Sequence, residues 1–334
     1  MKNVIILNDT SNELHYGCDL VIKNIHKLLL KNNLKIIGTN YCGDSFFENK
    51  NLVSKLPVAD LVVVNGEGTF HGSQPRLLEI MKVVNFIKKK TSIPVFLINS
   101  VYSNNNSKIV KLTRLFDLIF VRTSKDKKEL SKYKIKSTVV PDLTFYEQYK
   151  ILLKTKTRPI GVTDSYNDTI SEKLLFFAKN NKFIFLPIRK NSKIRSLSNF
   201  ARYCIVKMIY YPLWILKINL KYLSEKNFYY TSNCETYIDN ISNSKFLIIG
   251  RFHAACFALK TLTPFFFLEN AVNTHKAEAL LIDAGINKSR LIKYKDLKNL
   301  KLKKFENKEV ISIKKYISSA QKKIEKMFFD IANY

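Results

Sequence analysis

The chain has little cysteine and little acidic charge for its length. Five of its 334 residues are cysteine, and no two of them form a Cys-x-x-Cys pair. This scatter argues against a disulfide framework or a metal centre and favours a reducing compartment. The N-terminal residues form a short strand-like run that lacks the long apolar region of a signal peptide, so we expect a cytoplasmic protein.

Acidic residues number 27 against 56 Lys and Arg, which gives a formal net charge of +29. Such an excess suits a nucleic acid, an anionic membrane or an acidic substrate, although a general bias toward lysine explains it equally well. No zinc finger, RNA-binding sheet motif or basic zipper occurs, so no nucleic-acid partner is expected. Hydrophobic residues make up 46% of the chain, which is enough for a sizeable core.

Apolar segments with strand-like and helix-like spacing alternate along the chain. The alternation pauses in a polar stretch at 146–158 and then resumes. Buried strands that alternate with helices predict parallel sheets covered on both faces. We therefore expect an α/β fold of two Rossmann-like domains facing a central cleft, formed by residues 1–150 and residues 151–334. Ligands should bind at the carboxyl ends of the strands.

One segment, residues 190–223, breaks the alternation. It combines basic residues with an apolar and aromatic run around Trp214, and Pro212 interrupts that run. The charges argue against a spanning helix, whereas cations beside Trp, Tyr, Ile and Leu are typical of a segment in a membrane interface. We expect this segment to hold the protein on the inner face of the plasma membrane; a core helix pair or an oligomer contact is the alternative.

The most informative motif is Gly250-Arg251-Phe252-His253, which follows an apolar run and precedes small and apolar residues at helical spacing. This order predicts a buried strand, a tight turn and a helix start. A helix start attracts anions, Arg251 can grip phosphate or carboxylate, and His253 can move a proton near neutral pH. We expect both side chains in one cleft, where they favour transfer chemistry on an anionic donor. The alternative is a core histidine beside a surface arginine.

Arg122 and Ser124 follow another predicted strand. Ser124 suits the N-cap of the next helix, and both residues are candidates for donor binding. Arg122 is expected to be a second anion clamp, with a salt bridge to Asp117 or Asp142 as the alternative. Asp142 is expected to position Arg122 or a loop rather than to do chemistry.

The segment Gly66-Glu67-Gly68 also follows a buried strand, and His71 comes soon after it. Its glycines allow the backbone to approach a ligand, and Glu67 could accept a proton from an attacking hydroxyl. The segment lacks the GxxxxGK[ST] pattern of a nucleotide P-loop. We expect Gly66, Gly68 and His71 to contact the acceptor; a tight loop with a solvated glutamate is the alternative.

The loop before the first helix contains His15 and Gly17. Gly17 would allow the helix start to approach substrate, and His15 would orient a sugar hydroxyl or a phosphate. Both residues are therefore candidates for acceptor binding. A surface histidine is the alternative for His15.

The order and spacing of these motifs resemble the polysaccharide pyruvyl transferase family. The shared elements span roughly residues 1–270 and are Asn12 with Gly17, Gly66-Glu67-Gly68, Arg122 with Ser124, Pro141-Asp142, and Gly250-Arg251-Phe252-His253-Ala254. The resemblance implies two facing Rossmann-like domains of the glycosyltransferase-B type (GT-B-like), with residues 1–150 on the acceptor side and residues 151–334 on the donor side. It also implies transfer of a pyruvyl group from phosphoenolpyruvate to sugars of capsules, lipooligosaccharide or other surface polymers.

By this resemblance, Arg122 and Arg251 grip the donor and His253 is the acid and base. Family members often have glycine at the middle of the glycine-rich turn, where this chain has Glu67. No cofactor and no metal is implied, because phosphoenolpyruvate is a co-substrate. The expected partners are an anionic donor, a glycan or lipid-linked glycan acceptor, and an anionic membrane surface.

Two alternatives remain open from the sequence. The first is a GT-B-type glycosyltransferase that uses a nucleotide-activated sugar, with Glu67 or His15 as the base. The second is a non-catalytic protein that binds anionic glycans at the membrane.

Overall fold

The computed structural model of the chain describes residues 1–147, 149, 158–189, 233–269 and 274–334. Within them, the N-terminal half forms a six-stranded parallel sheet in the order β2-β1-β3-β4-β5-β6. Its strands and helices follow in chain order: β1 (Lys2–Asp9), α1 (Tyr16–Lys31), β2 (Leu34–Tyr41), α2 (Lys50–Val53), β3 (Leu61–Glu67), α3 (Pro75–Lys90), β4 (Val95–Ser100), α4 (Ser107–Thr113), β5 (Leu118–Val121), α5 (Ser124–Lys132) and β6 (Thr138–Val139). This half confirms the predicted alternation.

The C-terminal half forms a five-stranded parallel sheet in the order β11-β10-β9-β7-β8. Its described elements follow in chain order: β7 (Ile160–Ser165), α6 (Asp168–Asn180), β8 (Ile184–Leu186), α7 (Cys234–Ser242), β9 (Phe246–Gly250), α8 (Phe252–Lys260), β10 (Phe265–Leu268), α9 (Thr274–Asp283), β11 (Leu291–Ile292) and α10 (Asn307–Ala332). The closing helix α10 is continuous over 26 residues. The boundary proposed near residue 150 falls among residues outside the described ranges and stays a prediction.

The central strands are apolar on both faces because helices cover both sides of the sheets. Every residue of β3 and every residue of β4 is buried. One core cluster contains residues of both halves, including Val63 of the first sheet and Phe257 of α8. The end of α10 returns to the first sheet, where the ring of Tyr334 lies 5.1 Å from the ring of Phe96. The two halves therefore share part of one core.

The halves also meet beside the carboxyl ends of their strands. The backbone N–H of Tyr16, at the start of α1, donates to the carbonyl of Ile188, just after β8. The ammonium group of Lys260 in α8 donates to the carbonyl of Thr144 at 2.9 Å. The first contact brings the loop before α1 beside the carboxyl end of β8, and the second joins the end of α8 to the N-terminal half.

Residues 190–223, predicted to lie in a membrane interface, fall outside the described residues. In the part of the chain that the structure describes, no helix has both the length and the apolar character needed to cross a bilayer. The interfacial role of 190–223 therefore stays a prediction.

Candidate active site

A cavity of about 250 Å³ opens between the carboxyl ends of the two sheets. Seven of the residues predicted from the sequence line it: His15, Glu67, Gly68, His71, Arg122, Arg251 and His253. Parallel strands direct their carboxyl ends to one edge, so residues far apart in sequence meet there. The expectation of a single cleft for these side chains agrees with this arrangement.

A buried carboxylate fixes the orientation of the Arg122 side chain. It follows β5, and its Nη1 lies 2.7 Å from Oδ2 of Asp142, so one of the two proposed salt bridges is present. Its Nη2 donates to the carbonyl of Glu67 at 3.0 Å, and its guanidinium lies over the ring of Phe252. Within the described residues its Nε has no hydrogen-bond partner. The guanidinium is therefore fixed in orientation, and its Nε–H is available to a ligand.

Arg251 has the same arrangement on the other side of the cleft. It is the N-cap residue of α8, and its Nε lies 2.6 Å from Oδ2 of Asp164 at the end of β7. The other oxygen of Asp164 accepts from the backbone N–H of Ile188. The Nη2 of Arg251 is buried without a partner in the described ranges. A second oriented cation thus faces the cavity, and the sequence did not reveal its carboxylate partner.

His253 lies between two carboxyl groups. Its Nε2 is 3.5 Å from Oδ2 of Asp142 and 3.6 Å from Oε1 of Glu67, and it makes no hydrogen bond to a described residue. Burial alone would raise the pKa of Asp142, but His253 and Arg122 outweigh burial and hold that pKa well below its usual value. An imidazolium formed at His253 would therefore meet negative charge, which suits a group that gives and takes a proton.

Gly17 acts through His253 and not through direct approach to a ligand. A Cβ atom added at Gly17 would lie 2.3 Å from Cγ of His253, far inside contact distance. Gly17 does not line the cavity. The start of α1 therefore forms the wall against which the imidazole ring rests, which differs from the role expected from the sequence.

Gly17→Ala is expected to lower turnover by about tenfold or more, because the new methyl group must displace the ring of His253 and small misplacements of catalytic groups are costly. Alanine is the better helix former, so α1 itself should not be weakened. Turnover and a thermal melt of the same preparation check this. Wild-type turnover in a well-folded Gly17→Ala protein would contradict the proposed contact.

His15 is the N-cap of α1. Its Nδ1 accepts from the backbone N–H of Gly17 at 3.1 Å and of Cys18 at 3.4 Å. Its ring meets the ring of His253 edge-on, with 5.2 Å between centroids. The alternative of a surface histidine is therefore wrong, since the side chain is buried.

His15, Cys18 and His253 place their potential ligand atoms within 4.8 Å of one another, as a metal site would. The donor set suits a metal poorly. The Nδ1 of His15 already accepts two backbone hydrogen bonds, and burial together with Glu67 raises the pKa of the Cys18 thiol well above its usual value. Metal ligands must be deprotonated, so both residues would lose existing stabilisation on binding one.

Glu67 occupies a strained position at the end of β3. Its φ of +40° lies in the left-handed region that favours glycine, so this backbone conformation is strained for a residue with a side chain. The carboxyl group is buried, and its Oε1 has no hydrogen-bond partner among the described residues. Strain of this kind is common where a side chain is aimed at a reacting group.

The glycines beside Glu67 have different surroundings. Gly66 packs against Ser100, where an added Cβ would lie 2.4 Å from the serine Cβ, and Gly66 does not line the cavity. Gly68 does line it, and an added Cβ there would meet only Nζ of Lys276, at 3.8 Å. Gly68 therefore leaves space beside a lysine from the other half of the molecule.

Sequence reasoning missed Lys276, which lines the cavity from α9. Burial lowers its pKa to about 8, with a further contribution from Arg122. Burial, together with Lys276 and Arg122, also lowers the pKa of His71 to about 4, so His71 is uncharged at neutral pH. No local sequence signal distinguishes Lys276 from the many other lysines of this chain. Its role becomes visible only when the fold places α9 against the glycine-rich turn.

A second polar group missed from the sequence lies across the cavity. Arg76 donates to Oδ1 of Asn8 through Nε and Nη2, and its Nη1 lies 3.1 Å from Oε1 of Glu13. The same glutamate oxygen accepts from the thiol of Cys42. This group supplies fixed donors and acceptors at the N-terminal side of the cleft.

Two further predicted site residues, Ser124 and Gly250, also do not line the cavity. Ser124 is not the N-cap of α5; Thr123 is, in a capping box with Asp126. The hydroxyl of Ser124 donates instead to Asp283 of the other half at 2.5 Å. Gly250 is needed for packing, because an added Cβ would lie 2.6 Å from the carbonyl oxygen of Asp164.

Comparison with known proteins identifies the family and the fold. The model of the family described as polysaccharide pyruvyl transferase matches residues 2–271. No curated protein matches the chain. A UDP-GlcNAc 2-epimerase from Neisseria meningitidis bound to UDP-GlcNAc is similar in structure, with a TM-score of 0.50 and 14% identity over 98% of this chain and 94% of that one. The S. aureus MnaA complex with UDP has a TM-score of 0.50 and 12% identity over 98% and 91%.

At this identity the two structures show only the fold, and they confirm two facing α/β domains of the GT-B-like type. The family match covers most of the chain and includes every predicted site residue. Because the family is one of transferases, the non-catalytic alternative is set aside. The chain belongs to the polysaccharide pyruvyl transferase family and is a transferase.

Proposed function

We propose that this protein transfers a pyruvyl group from phosphoenolpyruvate to hydroxyl groups of a bacterial surface glycan. The observation that carries the proposal is the convergence of Arg122, Arg251 and His253 on one cavity. Each arginine is oriented by a buried carboxylate and has one nitrogen, Nε of Arg122 or Nη2 of Arg251, without a hydrogen-bond partner among the described residues. Phosphoenolpyruvate has a carboxylate and a phosphate, which two oriented guanidinium groups can bind.

Lys276 supports the same donor. It lines the cavity and makes no hydrogen bond or ion pair with any described residue. With a pKa of about 8 it is mostly protonated at neutral pH. No carboxylate among the described residues forms an ion pair with this cation, so a small molecule with several negative charges could do so.

The proposed reaction begins when His253 gives a proton to the methylene carbon of phosphoenolpyruvate. The first sugar hydroxyl adds to the adjacent carbon and gives its proton to Glu67. The second hydroxyl displaces phosphate and returns a proton to His253, and the proton on Glu67 leaves with the phosphate. Two C–O bonds form, one C–O bond to phosphate breaks, and the ketal is left on the glycan.

Phosphoenolpyruvate at about 100 times its Kd is expected to stabilise the protein by about 2.7 kcal/mol, a rise in melting temperature on the order of 5–10 °C. UDP and CMP at the same concentration should have little effect. Thermal shift with the three ligands measures this. Stabilisation by UDP or CMP, with none by phosphoenolpyruvate, would contradict the proposal.

That contrary result would favour a glycosyltransferase that uses a nucleotide-activated sugar. The observation behind this second candidate is the buried carboxyl of Glu67, whose Oε1 accepts no hydrogen bond from a described residue and could serve as the base for an acceptor hydroxyl. In this case Arg251 and the start of α8 would hold the donor phosphates.

We also propose that the acceptor is a lipid-linked glycan, which would enter from the N-terminal side near His15, Gly68 and His71. Its delivery depends on residues 190–223, whose basic and aromatic sequence favours an anionic membrane surface. Replacing Trp214 and Leu216 with aspartate is expected to release the protein from anionic liposomes in a sedimentation assay. Unchanged partitioning would contradict the membrane proposal.

A further inference from the structure

One helix of the C-terminal half, α9, is bound at its end to the N-terminal half. The carboxylate of Asp283, the last residue of α9, accepts from the backbone N–H of Ser124 at 2.8 Å and from its hydroxyl at 2.5 Å. Ser124 is the first residue of α5, so this N–H is one of the donors that have no partner inside the helix. The helix dipole stabilises a carboxylate at this place. The end of α9 is therefore held on the start of α5 by charge and by two hydrogen bonds.

A salt bridge joins the same two helices. Oε2 of Glu278 on α9 lies 2.8 Å from Nζ of Lys125 on α5, and its Oε1 lies 2.9 Å from Nζ of Lys288. Hydrogen bonds from Lys125 and then from Lys288 lower the pKa of Glu278 to about 2, so the carboxylate is charged at neutral pH. Both members of the pair with Lys125 are partly exposed, and such a pair contributes little by itself. The main contact of α9 with α5 is therefore the one at Asp283.

The same side of α9 reaches the cavity. Lys276 lies seven positions before Asp283, which is close to two helical turns, so the two side chains lie on one side of α9. Nζ of Lys276 is 3.8 Å from the position that a Cβ at Gly68 would occupy, in the turn after β3. One side of α9 thus approaches the N-terminal half at two places, with Lys276 at the cavity and Asp283 at α5.

In the described part of the chain, no partner holds the ammonium group of Lys276 in that place, since it makes no hydrogen bond or ion pair there. Burial and then Arg122 lower the pKa of Lys276 to about 8. The carboxylates of Asp126 and Glu67 act in the opposite direction and offset this only in part. The ring of His71, which also faces Lys276, is uncharged at neutral pH. Because the charged side chain is disfavoured in the empty cavity, the position of α9 has to keep it there.

We propose that Asp283 is a positioning residue, which docks α9 on the start of α5 and thereby keeps the ammonium group of Lys276 in the cavity. The salt bridge between Glu278 and Lys125 assists it. Asp283 does not itself line the cavity, so it acts on a ligand only through Lys276. The consequence for donor binding rests on the proposed pyruvyl transfer, in which Lys276 binds an anionic group of phosphoenolpyruvate.

The position of Lys276 is tested first, in the full chain and without a donor. Only a neutral amine reacts with acetic anhydride, so trace acetylation at a series of pH values gives the pKa of Lys276 when its peptide is followed by mass spectrometry. The midpoint in the wild-type protein should be near 8. In Asp283→Ala it should rise toward about 10.4, the value of a solvated lysine, because the side chain leaves the cavity. An unchanged midpoint in folded Asp283→Ala would overturn the inference.

Two further variants make this result specific. Asp283→Asn keeps an oxygen that can accept from the N–H of Ser124 and loses the charge, so it should shift the midpoint less than Asp283→Ala; it replaces the alanine variant if that protein does not fold. Asp330→Ala is the matched control, because Asp330 forms a salt bridge with Lys326 inside α10. We expect the wild-type midpoint in this control. An equal shift in Asp330→Ala would mean that a general loosening of the fold, and not the contact with α5, moves Lys276.

The effect on the donor is tested by a double-mutant cycle with phosphoenolpyruvate. Lys276→Met and Asp283→Ala are each expected to weaken binding by about tenfold. The double variant should bind no more weakly than Lys276→Met, because both changes remove the same contact. Losses that multiply in the double variant would show that Asp283 acts independently of Lys276, and the inference would be wrong. If the wild-type protein does not bind phosphoenolpyruvate, the proposed function fails, whereas the acetylation result still decides whether Asp283 positions Lys276.

Discussion

His253→Gln is expected to reduce turnover by about 10²–10⁴-fold, the usual contribution of a general acid and base. Glutamine is close to histidine in size and can still donate a hydrogen bond to Asp142 or Glu67, so the site should keep its shape. It cannot give a proton to carbon or take one from a hydroxyl. The loss should therefore appear in kcat, with the affinity for phosphoenolpyruvate nearly unchanged.

The measurement does not require a known acceptor. Mild acid releases pyruvate from ketals, so the pyruvate released from surface glycan of a strain that carries each variant reports turnover. His26→Gln is the matched control, because His26 lies on α1 with its side chain about half exposed. We expect full activity from His26→Gln. If His253→Gln also kept more than a tenth of the wild-type activity, a proton-transfer role for His253 would be wrong.

The centre of the site could be predicted from sequence because its signals are local. An apolar run, a glycine and a helical pattern define Gly250-Arg251-Phe252-His253, and β9 and α8 occupy the predicted positions. Parallel topology then places Arg122 and Glu67 at the same edge, since each follows a buried strand. Local patterns and one rule of sheet geometry were sufficient for this part.

The partners of these residues could not be predicted, because they depend on packing between distant segments. Asp164 is 87 positions from Arg251, and nothing in its own neighbourhood marks it. Asp117, the other candidate for Arg122, binds Lys88 instead. Thr123 and Ser124 are both good caps by composition, and only the register of α5 decides between them.

Gly17 shows a different limit. From the sequence, Gly17 was expected to leave space for a ligand. In the structure the side chain of His253, 236 positions away, occupies that space. Sequence shows that a position is small without showing what occupies the space. Lys276 is the converse case, in which an ordinary lysine becomes distinctive only because α9 carries it into the cavity.

Arg122→Met is expected to lower the free energy of unfolding by about 3–5 kcal/mol, because it leaves Asp142 buried without its cation. It also removes the hydrogen bond to the carbonyl of Glu67 and the stacking on Phe252. The corresponding drop in melting temperature is on the order of 10 °C. Arg114→Met is the control, since Arg114 is exposed and bonds only to the carbonyl of Tyr133 among the described residues.

The pH dependence shows whether the lost pair is the cause. The pKa of Asp142 in the folded protein lies below its usual value, so its ionised form stabilises the fold above the unfolded pKa, and this contribution is lost as the pH falls. Without Arg122 the folded pKa rises, and the deficit of the variant should be largest near pH 7 and shrink toward pH 4. Adding Asp142→Asn should recover part of the stability at pH 7, because no uncompensated charge remains. A deficit that is independent of pH, or unchanged in the double variant, would mean that packing on Phe252 and not charge pairing makes Arg122 important to the fold.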